Sequence, residues 1–450
     1  MWRNWAGDQA CEPAVIERPA STAEVVGAVG RALAAGRRVR AAGAGHSFTG
    51  AVLTEGSLVH LGRMTGVVDA DRGSGLARVR AGTTIGALSD ELAGHGLALE
   101  NLGDIDVQAI AGAVATGTHG TGGRLPGLPA QVQALQLVTA AGEVVEVDGS
   151  DPEALRAARV AIGSLGIVTE LTLRCVPAYT LRGMDAPAPL EEVLGALAEH
   201  VDGHRHFELF TFPHSPIALT RVNDVVDEPP RPRARARAYV DDVLLANRAF
   251  EAVCLLGRAV PRAIPALNRT LSRAVGTSVR VDRSDRIFAT PRLVRFVEME
   301  YALPRAAAAD ALRAMKAQAE RLAVGFPLEL RFSAGDDTLL GPAGGRETAF
   351  VAVHVYRGMA WEPYFRAVEA IADAHGGRPH WGKRHFQTAA TLAPRYPGWE
   401  AFQAVRARLD PDGVFANAYT DRVLGPAGDR PTLTAEAPGR QAPKLERTRG

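Results

Sequence analysis

Residues 43–48 read Gly43-Ala44-Gly45-His46-Ser47-Phe48 and place a histidine inside a turn that contains two glycines. The run before them, Arg37-Arg38-Val39-Arg40, predicts a short strand that leads into the turn. Glycines allow backbone N–H groups to approach an anion closely, so the histidine would stand beside whatever is bound. A histidine after two glycines is, by itself, more often a loop or capping residue. Other segments of the sequence, described below, favour a ligand-binding turn instead. The residues of this turn that we predict to bind the ligand are Ala42, Gly43, Ala44, Gly45, His46 and Ser47.

A second segment of small residues extends from Ala111 to Gly122 and supports the ligand-binding interpretation. It offers a long run of backbone and hydroxyl donors with little side-chain bulk. Two loops of this kind can hold a diphosphate between them. The residues predicted to bind from this segment are Gly112, Ala113, Thr116, Gly117, Thr118, His119 and Gly120.

The common nucleotide and hydrolase motifs are absent from the sequence. A dinucleotide fingerprint needs a third glycine where Phe48 stands, and a Walker A motif needs Ser or Thr after Lys383, where Arg384 stands. The nucleophile elbow of hydrolases fails at Ser164, because Ile162 occupies the first glycine position. No H-E-x-x-H metalloprotease motif is present either. These exclusions leave a different kind of cofactor site.

Composition limits the partners that can be expected. The 450 residues are 46% hydrophobic and carry a net charge of +1, which gives no general footprint for nucleic acid. The arginine-rich stretch 231–237 follows several acidic residues and is interpreted as a solvated loop. The three cysteines are widely spaced and lack a C-x-x-C pair, which argues against a disulfide framework and a zinc site. We therefore predict no nucleic-acid partner and no metal.

The sequence also bears on location in the cell. The N-terminal stretch Met1-Trp2-Arg3-Asn4-Trp5 lacks the basic and apolar regions of a signal peptide. No apolar run approaches the roughly 18 residues that a transmembrane helix needs. We expect a cytoplasmic protein without a transmembrane segment, with peripheral membrane contact left open.

The apolar spacing predicts an α+β protein. Helical spacing from Ser21 to Arg38 is followed by short strands and helices up to Arg174, including a hairpin that turns at Ala141-Gly142. Pro177 and the stretch Ala186-Pro187-Ala188-Pro189 suggest a boundary, beyond which the pattern predicts an antiparallel sheet flanked by helices. We expect domains at 1–178 and 179–377, a segment 378–425 that returns to the first domain, and a disordered tail at 426–450.

Two C-terminal motifs, His380-Trp381-Gly382-Lys383 and Asn417-Ala418-Tyr419, complete a recognisable set. With the two small-residue segments they resemble the FAD-binding oxidoreductases of the vanillyl-alcohol oxidase superfamily, most closely the aldonolactone oxidase and dehydrogenase branch. The resemblance implies an FAD-binding domain of two α/β subdomains and an α+β substrate (cap) domain with an antiparallel sheet. It matches His46 to a histidine that is covalently bonded to the flavin. It also adds FAD-binding positions at Gly166, Ile167, Val168, Asn417 and Tyr419.

The substrate side is assigned to the predicted strand Leu328-Glu329-Leu330-Arg331-Phe332, whose period of two places Glu329 and Arg331 on one face. Taken alone, the strand would favour a salt bridge between these two residues on an exposed sheet face. In the resembling enzymes a Glu-x-Arg pair faces the flavin and binds substrate hydroxyls, and a lysine matching Lys383 lies over the ring. The resemblance therefore implies Glu329, Arg331 and Lys383 as catalytic residues.

The function implied by the resemblance is oxidation of a sugar 1,4-lactone, L-gulono- or D-arabinono-1,4-lactone, at C2. Hydride transfer to flavin N5 would give ascorbate or its five-carbon analogue. An alditol oxidase acting on xylitol or sorbitol is the alternative. The resemblance implies the same four residues for that enzyme, namely His46, Glu329, Arg331 and Lys383. A flavin-binding module without turnover is a remote alternative. Oxygen, a quinone or a cytochrome could accept the electrons, and the sequence does not distinguish between an oxidase and a dehydrogenase.

Overall fold

The structure is a computed structural model that describes residues 1–427. The tail predicted at 426–450 therefore lies almost entirely outside the described residues. Twenty strands are present in the described part, in chain order β1 Trp2–Arg3, β2 Ala10–Cys11, β3 Val15–Glu17, β4 Val39–Ala42, β5 Ser57–His60, β6 Val67–Asp71, β7 Leu76–Arg80, β8 Leu97–Ala98, β9 Val132–Val138, β10 Val144–Val147, β11 Ile167–Arg174, β12 Val176–Pro177, β13 Thr180–Pro189, β14 His206–Thr211, β15 Ile217–Val226, β16 Ser278–Arg283, β17 Phe296–Pro304, β18 Leu328–Ser333, β19 Thr348–Tyr356 and β20 Arg378–Pro379.

Helices connect and cover these strands. The α-helices of the described part are α1 Thr22–Ala34, α2 Ile85–Gly94, α3 Ile110–Ala115, α4 Pro152–Ala158, α5 Leu190–Gly195, α6 Leu197–Gly203, α7 Arg235–Ala238, α8 Phe250–Ala259, α9 Ile264–Ala274, α10 Ser284–Phe288, α11 Ala308–Arg321, α12 Glu362–Ala374, α13 Ala389–Leu392, α14 Trp399–Leu409 and α15 Ala418–Leu424. A π-helix, Tyr239–Ala249, joins α7 to α8. Within residues 1–427, no helix combines the length and the apolar character needed to cross a bilayer.

The N-terminal part contains two main sheets, besides the two-stranded pairs β1-β2 and β8-β12. One is a parallel sheet of order β3-β5-β4, and the other is an antiparallel sheet of order β10-β9-β11-β7-β6. The hairpin predicted at Ala141-Gly142 is confirmed as the β9–β10 connection, where Gly142 has a φ of +78°. The helix predicted from Ser21 is confirmed as α1, and the Ser21 hydroxyl caps it by accepting from the Glu24 N–H.

The second part is an antiparallel sheet of order β16-β13-β15-β14-β18-β19-β17-β20, covered by helices such as α11 and α12. The predicted α+β fold is thereby confirmed. The C-terminal segment joins both parts, because β20 pairs with β17, whereas Trp381, Phe402 and Phe415 are buried in the core of the N-terminal part. The domain boundaries given above remain predictions.

Three local predictions were wrong. The stretch Ala186–Pro189, suggested above as a boundary, is the end of β13. Its two prolines are tolerated because β16 pairs with β13 only as far as Asp185, so the prolines have a strand neighbour on one side alone. The segment from Ala111 begins as helix α3 and not as a loop, since alanines favour helix. The stretch 231–237 enters helix α7 at Arg235.

Arg40 on β4 forms hydrogen bonds with three segments that are distant from one another in the sequence. Its buried guanidinium donates to the carbonyl oxygens of Ala51 (2.7 Å), Ile162 (2.7 Å) and Gly163 (3.0 Å), and also to that of Phe415. Burial lowers the pKa of Arg40 to about 10, so the group keeps its charge at neutral pH. The hydrogen bonds fix the strand that leads into the His46 turn.

We expect Arg40→Met to lower the free energy of unfolding by about 3 kcal/mol, because it leaves several buried carbonyl groups without a donor. Denaturant unfolding followed by circular dichroism measures the change. The control is Arg38→Met, which removes a mostly exposed arginine paired with Asp421 at 3.2 Å and should cost less than about 1 kcal/mol. Equal losses in the two variants would contradict the role given to Arg40.

Candidate active site

The His46 turn forms one wall of a narrow cleft of about 110 Å³. Gly45 has a φ of +73°, a conformation that side chains disfavour, and an added Cβ would meet the Trp2 ring at 3.2 Å. The turn therefore needs glycine at this position. The predicted residues that line the cleft are Gly43, Ala44, Gly45, His46, Ser47, Gly112, Ala113, Thr116, Gly166 and Val168.

The turn carries a row of free backbone donors. Among the described residues, the N–H groups of 43–47 donate to no backbone or side-chain acceptor, whereas the Phe48 N–H that follows donates to the Gly382 carbonyl at 2.7 Å. Consecutive N–H groups without an acceptor form a concave site for an anion. An added Cβ on Gly112 meets nothing within 4 Å, so the opposite wall is open as well. The cleft thus fits the diphosphate of a bound dinucleotide.

His46 lies between the cleft and an aromatic cluster. Its ring stacks on Trp5 with the centroids 5.5 Å apart, and Trp5 in turn lies under the Arg295 guanidinium at 5.0 Å. Burial, together with the positive charges of Lys383 and Arg295, lowers the pKa of His46 to about 4. The imidazole is therefore neutral at physiological pH, and a neutral ring nitrogen can act as a nucleophile.

Several predicted cofactor residues do not line the cleft. Ala42 and Ile167 are buried in β4 and β11. Gly117 adopts a φ of +82°, and Gly120 packs so closely that a Cβ would stand 2.2 Å from Asn101 Oδ1. Thr118 and His119 line a separate, larger cavity. Cofactor contact by these six residues remains a prediction.

Asn417 and Tyr419 also lie behind the cleft walls. The Asn417 amide donates to the carbonyls of Gly50 and Leu53, both at 2.8 Å, and its oxygen caps α15 by accepting from the Thr420 N–H. The Tyr419 hydroxyl donates to the Trp381 carbonyl at 3.0 Å. These bonds hold the C-terminal helix against the chain that follows the His46 turn, and cofactor contact by Asn417 and Tyr419 remains a prediction.

The larger cavity has a volume of about 440 Å³ and lies over one face of the eight-stranded sheet. Gln108 lines both this cavity and the cleft, so the two spaces are neighbours there. Apolar side chains such as Phe210, Phe250 and Phe326 form part of the wall. The charged residues that line it are Asp104, Arg221, Arg292, Glu298, Glu300, Glu329, Arg331 and Lys383. A small polar ligand would be held by several charges and shielded by aromatic rings.

Glu329 and Arg331 project together into this cavity from β18. They are 6% and 7% exposed and form an ion pair, which excludes the exposed salt bridge that the sequence also allowed. Arg331 also contacts Glu208 (Nε to Oε2, 2.8 Å) and Asp104 (Nη2 to Oδ2, 3.2 Å). Burial and the nearby Asp104 and Glu208 charges outweigh the attraction of Arg331 and raise the pKa of Glu329 to about 7. Glu329 can therefore exchange a proton near neutral pH.

Lys383 enters the same cavity beside Glu298 of β17. The ammonium forms an ion pair with the Glu298 carboxylate, which lies 3.6 Å from His354 Nε2. Burial alone would lower the pKa of Lys383, but the charges of Glu298 and Glu300 outweigh it and raise the pKa. The lysine is therefore a fixed positive charge inside a largely apolar cavity, 5.4 Å from the Phe48 ring next to the His46 turn.

His119, Glu300 and His380 form a second buried cluster whose geometry could suggest a metal site. The His119 nitrogens lie 3.0 Å from Glu300 Oε1 and 2.9 Å from the Gly120 carbonyl, so both already face oxygen atoms of the protein. His380 Nδ1 accepts from the Gly382 N–H at 3.0 Å, which places the proton of a neutral ring on Nε2. This pattern fits an ion pair better than metal ligands.

The sequence analysis missed the acidic partners of the site. Glu298 and Glu300 alternate with Val297, Met299 and Tyr301 along β17, so two carboxylates on one strand face were a usable signal. Asp104 and Glu208 carried no such signal, because the ion pairs with Arg331 join segments more than 120 residues apart.

Comparisons with known proteins extend this description. A family model for D-arabinono-1,4-lactone oxidase matches residues 171–423, and one for an FAD binding domain matches residues 13–148. L-gulono-1,4-lactone dehydrogenase of Mycobacterium tuberculosis is 47% identical over 95% of this chain and 99% of that protein. L-gulonolactone oxidase of Bos taurus is 32% identical over 94% and 98%, respectively.

The fold has a counterpart among solved structures. The crystal structure of cholesterol oxidase from Brevibacterium sterolicum superposes with a TM-score of 0.79 over 94% of this chain and 96% of that chain. The sequence identity is 18%, so the likeness concerns the fold alone.

Proposed function

Because this chain belongs to the D-arabinono-1,4-lactone oxidase family and contains an FAD-binding domain, we propose that it oxidises a sugar 1,4-lactone at C2. L-Gulono-1,4-lactone and D-arabinono-1,4-lactone are the proposed substrates. The products are ascorbate and its five-carbon analogue. Support comes from one observation above all, the position of a cleft lined by free backbone N–H groups next to a cavity lined by Glu329, Arg331 and Lys383, with Gln108 in both linings.

The proposed chemistry divides among these three side chains. Bound FAD supplies the acceptor for the hydride that leaves C2 with the electron pair of the C–H bond. Glu329, in its ionised form, takes the proton of the C2 hydroxyl while the carbonyl bond forms. Arg331 and Lys383 stabilise the negative charge that develops on this oxygen and at the cofactor. The 2-keto lactone then tautomerises to an enediol.

The proposed cofactor contacts follow from the cleft. The N–H groups of 43–47 would hold the diphosphate, and His46 would be linked covalently to the flavin through a ring nitrogen. The neutral state of His46 and its place in the lining of the cleft support this link. The bond would tether the cofactor and raise its reduction potential by withdrawing electron density.

We expect the flavin to stay with the polypeptide when the protein is denatured in acid. His46→Ala should release it into the supernatant, because the only proposed attachment point is removed. Visible spectra and in-gel fluorescence of the precipitate measure the retention. His95→Ala, at the exposed end of α2, is the control and should keep its flavin. Free flavin from the wild type, or retained flavin in His46→Ala, would show that His46 is not the attachment point.

The second half of the reaction returns the electrons to an acceptor, for which we propose oxygen, a quinone or a cytochrome. A cytoplasmic protein that can contact a membrane peripherally is proposed as the cellular setting.

A substrate panel tests the proposed function. Purified protein is mixed anaerobically with the two lactones, xylitol and sorbitol, and bleaching of the flavin absorbance is followed. Bleaching by a lactone supports the proposal. Bleaching by polyols alone would favour the alditol oxidase interpretation, and no bleaching by any of the four would favour a flavin-binding module without turnover.

A further inference from the structure

The helical segment around the π-helix carries an unusual amount of exposed apolar surface. Seventeen large hydrophobic side chains are exposed in residues 1–427, and seven of them fall between positions 239 and 260. Leu245 is 60% exposed and Leu256 is 48% exposed. The seven are Tyr239, Val240, Leu244, Leu245, Leu255, Leu256 and Val260. Single exposed apolar residues are ordinary, but a concentration of this kind marks an interaction surface.

Most of these side chains lie along one side of the helix. The apolar positions are Val240, the pair 244–245 and the pair 255–256. Their spacing corresponds to one turn of a π-helix and then to several helical turns. The other side is buried, with Asn247, Cys254 and Gly257 facing the protein. The segment therefore packs one side against the protein and exposes a largely apolar side to solvent. We call this exposed side the 240–260 face.

The segment of chain that contains this face is rich in positive charge. Residues 231–274 contain nine arginines and no lysine against three acidic residues, a net charge of +6 in a chain whose total is +1. The three acids are paired within the segment, as in the contacts of Asp241 with Arg237 (2.8 Å) and of Glu251 with Arg248 (3.3 Å). Within the described residues, the arginines that form no ion pair are Arg235, Arg258, Arg262, Arg269 and Arg273.

We propose that the 240–260 face docks on an anionic lipid bilayer. Leucine and valine side chains on a helix surface bury into the boundary between headgroups and acyl chains, and arginines beside them bind lipid phosphates. A second copy of this chain is a poorer partner, because two segments of net charge +6 would repel each other. The charge and the apolar face together thus select an anionic membrane.

Docking would also orient the site cavity. Leu245, Ala246 and Ala249 belong to the same helix, are exposed, and line the 440 Å³ cavity, so the cavity reaches solvent beside the 240–260 face. A docked protein would hold this opening at the membrane, where a lipid-soluble electron acceptor is concentrated. This consequence rests on the proposed function, whereas the docking itself does not.

Vesicle sedimentation tests the docking. The flavin-loaded protein is mixed with vesicles of phosphatidylcholine and phosphatidylglycerol or of phosphatidylcholine alone. We expect binding to the anionic vesicles that weakens as salt is added. The double variant Leu255→Glu/Leu256→Glu should bind at least about tenfold more weakly, because two apolar side chains are lost from the contact. Neither leucine lines the site cavity, so flavin content and gel-filtration volume should stay unchanged.

The matched control is Val68→Glu/Val144→Glu, which alters two equally exposed side chains of the N-terminal part and should bind like the wild type. Three results would overturn the proposal: no binding to anionic vesicles, equal binding to both vesicle types, or full binding by the double variant. A dimer that the leucine variant dissociates, without vesicle binding, would identify a second copy as the partner. Sedimentation does not depend on turnover, so failure here is distinct from failure of the lactone panel.

Discussion

Lys383→Met lowers the rate of flavin reduction by the lactone about 100-fold and changes substrate affinity much less, according to the proposed mechanism. Methionine keeps the length and apolar volume of the side chain and removes the charge that faces the developing negative charge. Stopped-flow mixing under anaerobic conditions separates the two effects, because the limiting rate reports the chemical step and its concentration dependence reports binding.

The control for this variant replaces a lysine that lies outside the cavity. Lys316 pairs with Glu320 on α11, and Lys316→Met should leave flavin reduction unchanged. An unchanged reduction rate in Lys383→Met would remove Lys383 from the mechanism. A loss of affinity without a loss of rate would limit the lysine to substrate binding.

Glu329→Gln is expected to have a comparable effect and a distinct pH signature. The wild-type kcat/KM should rise with pH through about 7, because Glu329 accepts a proton only when it is ionised and its pKa lies near 7. Glutamine cannot accept this proton, so the rate should fall about 100-fold or more and the rise with pH should disappear.

The pH dependence of kcat/KM, measured for the wild type and for Glu329→Gln, tests this effect. The control is Glu347→Gln, which alters an exposed carboxylate just before β19 and should keep the wild-type profile. A Glu329→Gln profile that still rises through neutral pH would assign the titration to another group and remove the carboxylate as the proton acceptor.

The sequence predicted the family, the α+β fold, the class of enzyme and FAD dependence, and these predictions are confirmed. The family, the class of enzyme and FAD dependence followed from the resemblance carried by the His46 turn, the segment 111–122 and the two C-terminal motifs, whereas the elements of the fold followed from local signals. The cap at Ser21, the hairpin at Ala141-Gly142 and the alternation of Glu329 with Leu330 each depend on neighbours only a few residues away.

The rest depends on contacts between distant residues. Pairing of β14 with β18 brings Glu208 next to Arg331, whereas Asp104 and Lys383 lie outside the strands, and no local pattern predicts any of these ion pairs. The hydrogen bonds of Asn417 and Tyr419 also join distant segments, and cofactor binding by these two residues remains a prediction.

The acidic surroundings of Arg331 also set the chemistry of the site. Burial is the largest cause that raises the pKa of Glu329, and the charges of Asp104 and Glu208 add to it, so that these effects outweigh the attraction of Arg331. The resulting pKa of about 7 allows Glu329 to take up a proton and release it again near neutral pH. The buried carboxylates that the sequence did not reveal therefore contribute to making Glu329 suitable as a proton acceptor.

Anaerobic reduction of the bound flavin by L-gulono-1,4-lactone distinguishes a lactone oxidoreductase from the alternatives. We expect the lactone to bleach the flavin absorbance completely and ascorbate to appear in an amount equal to the flavin reduced. A flavin that stays oxidised with both lactones, or that only xylitol or sorbitol reduces, would contradict this expectation.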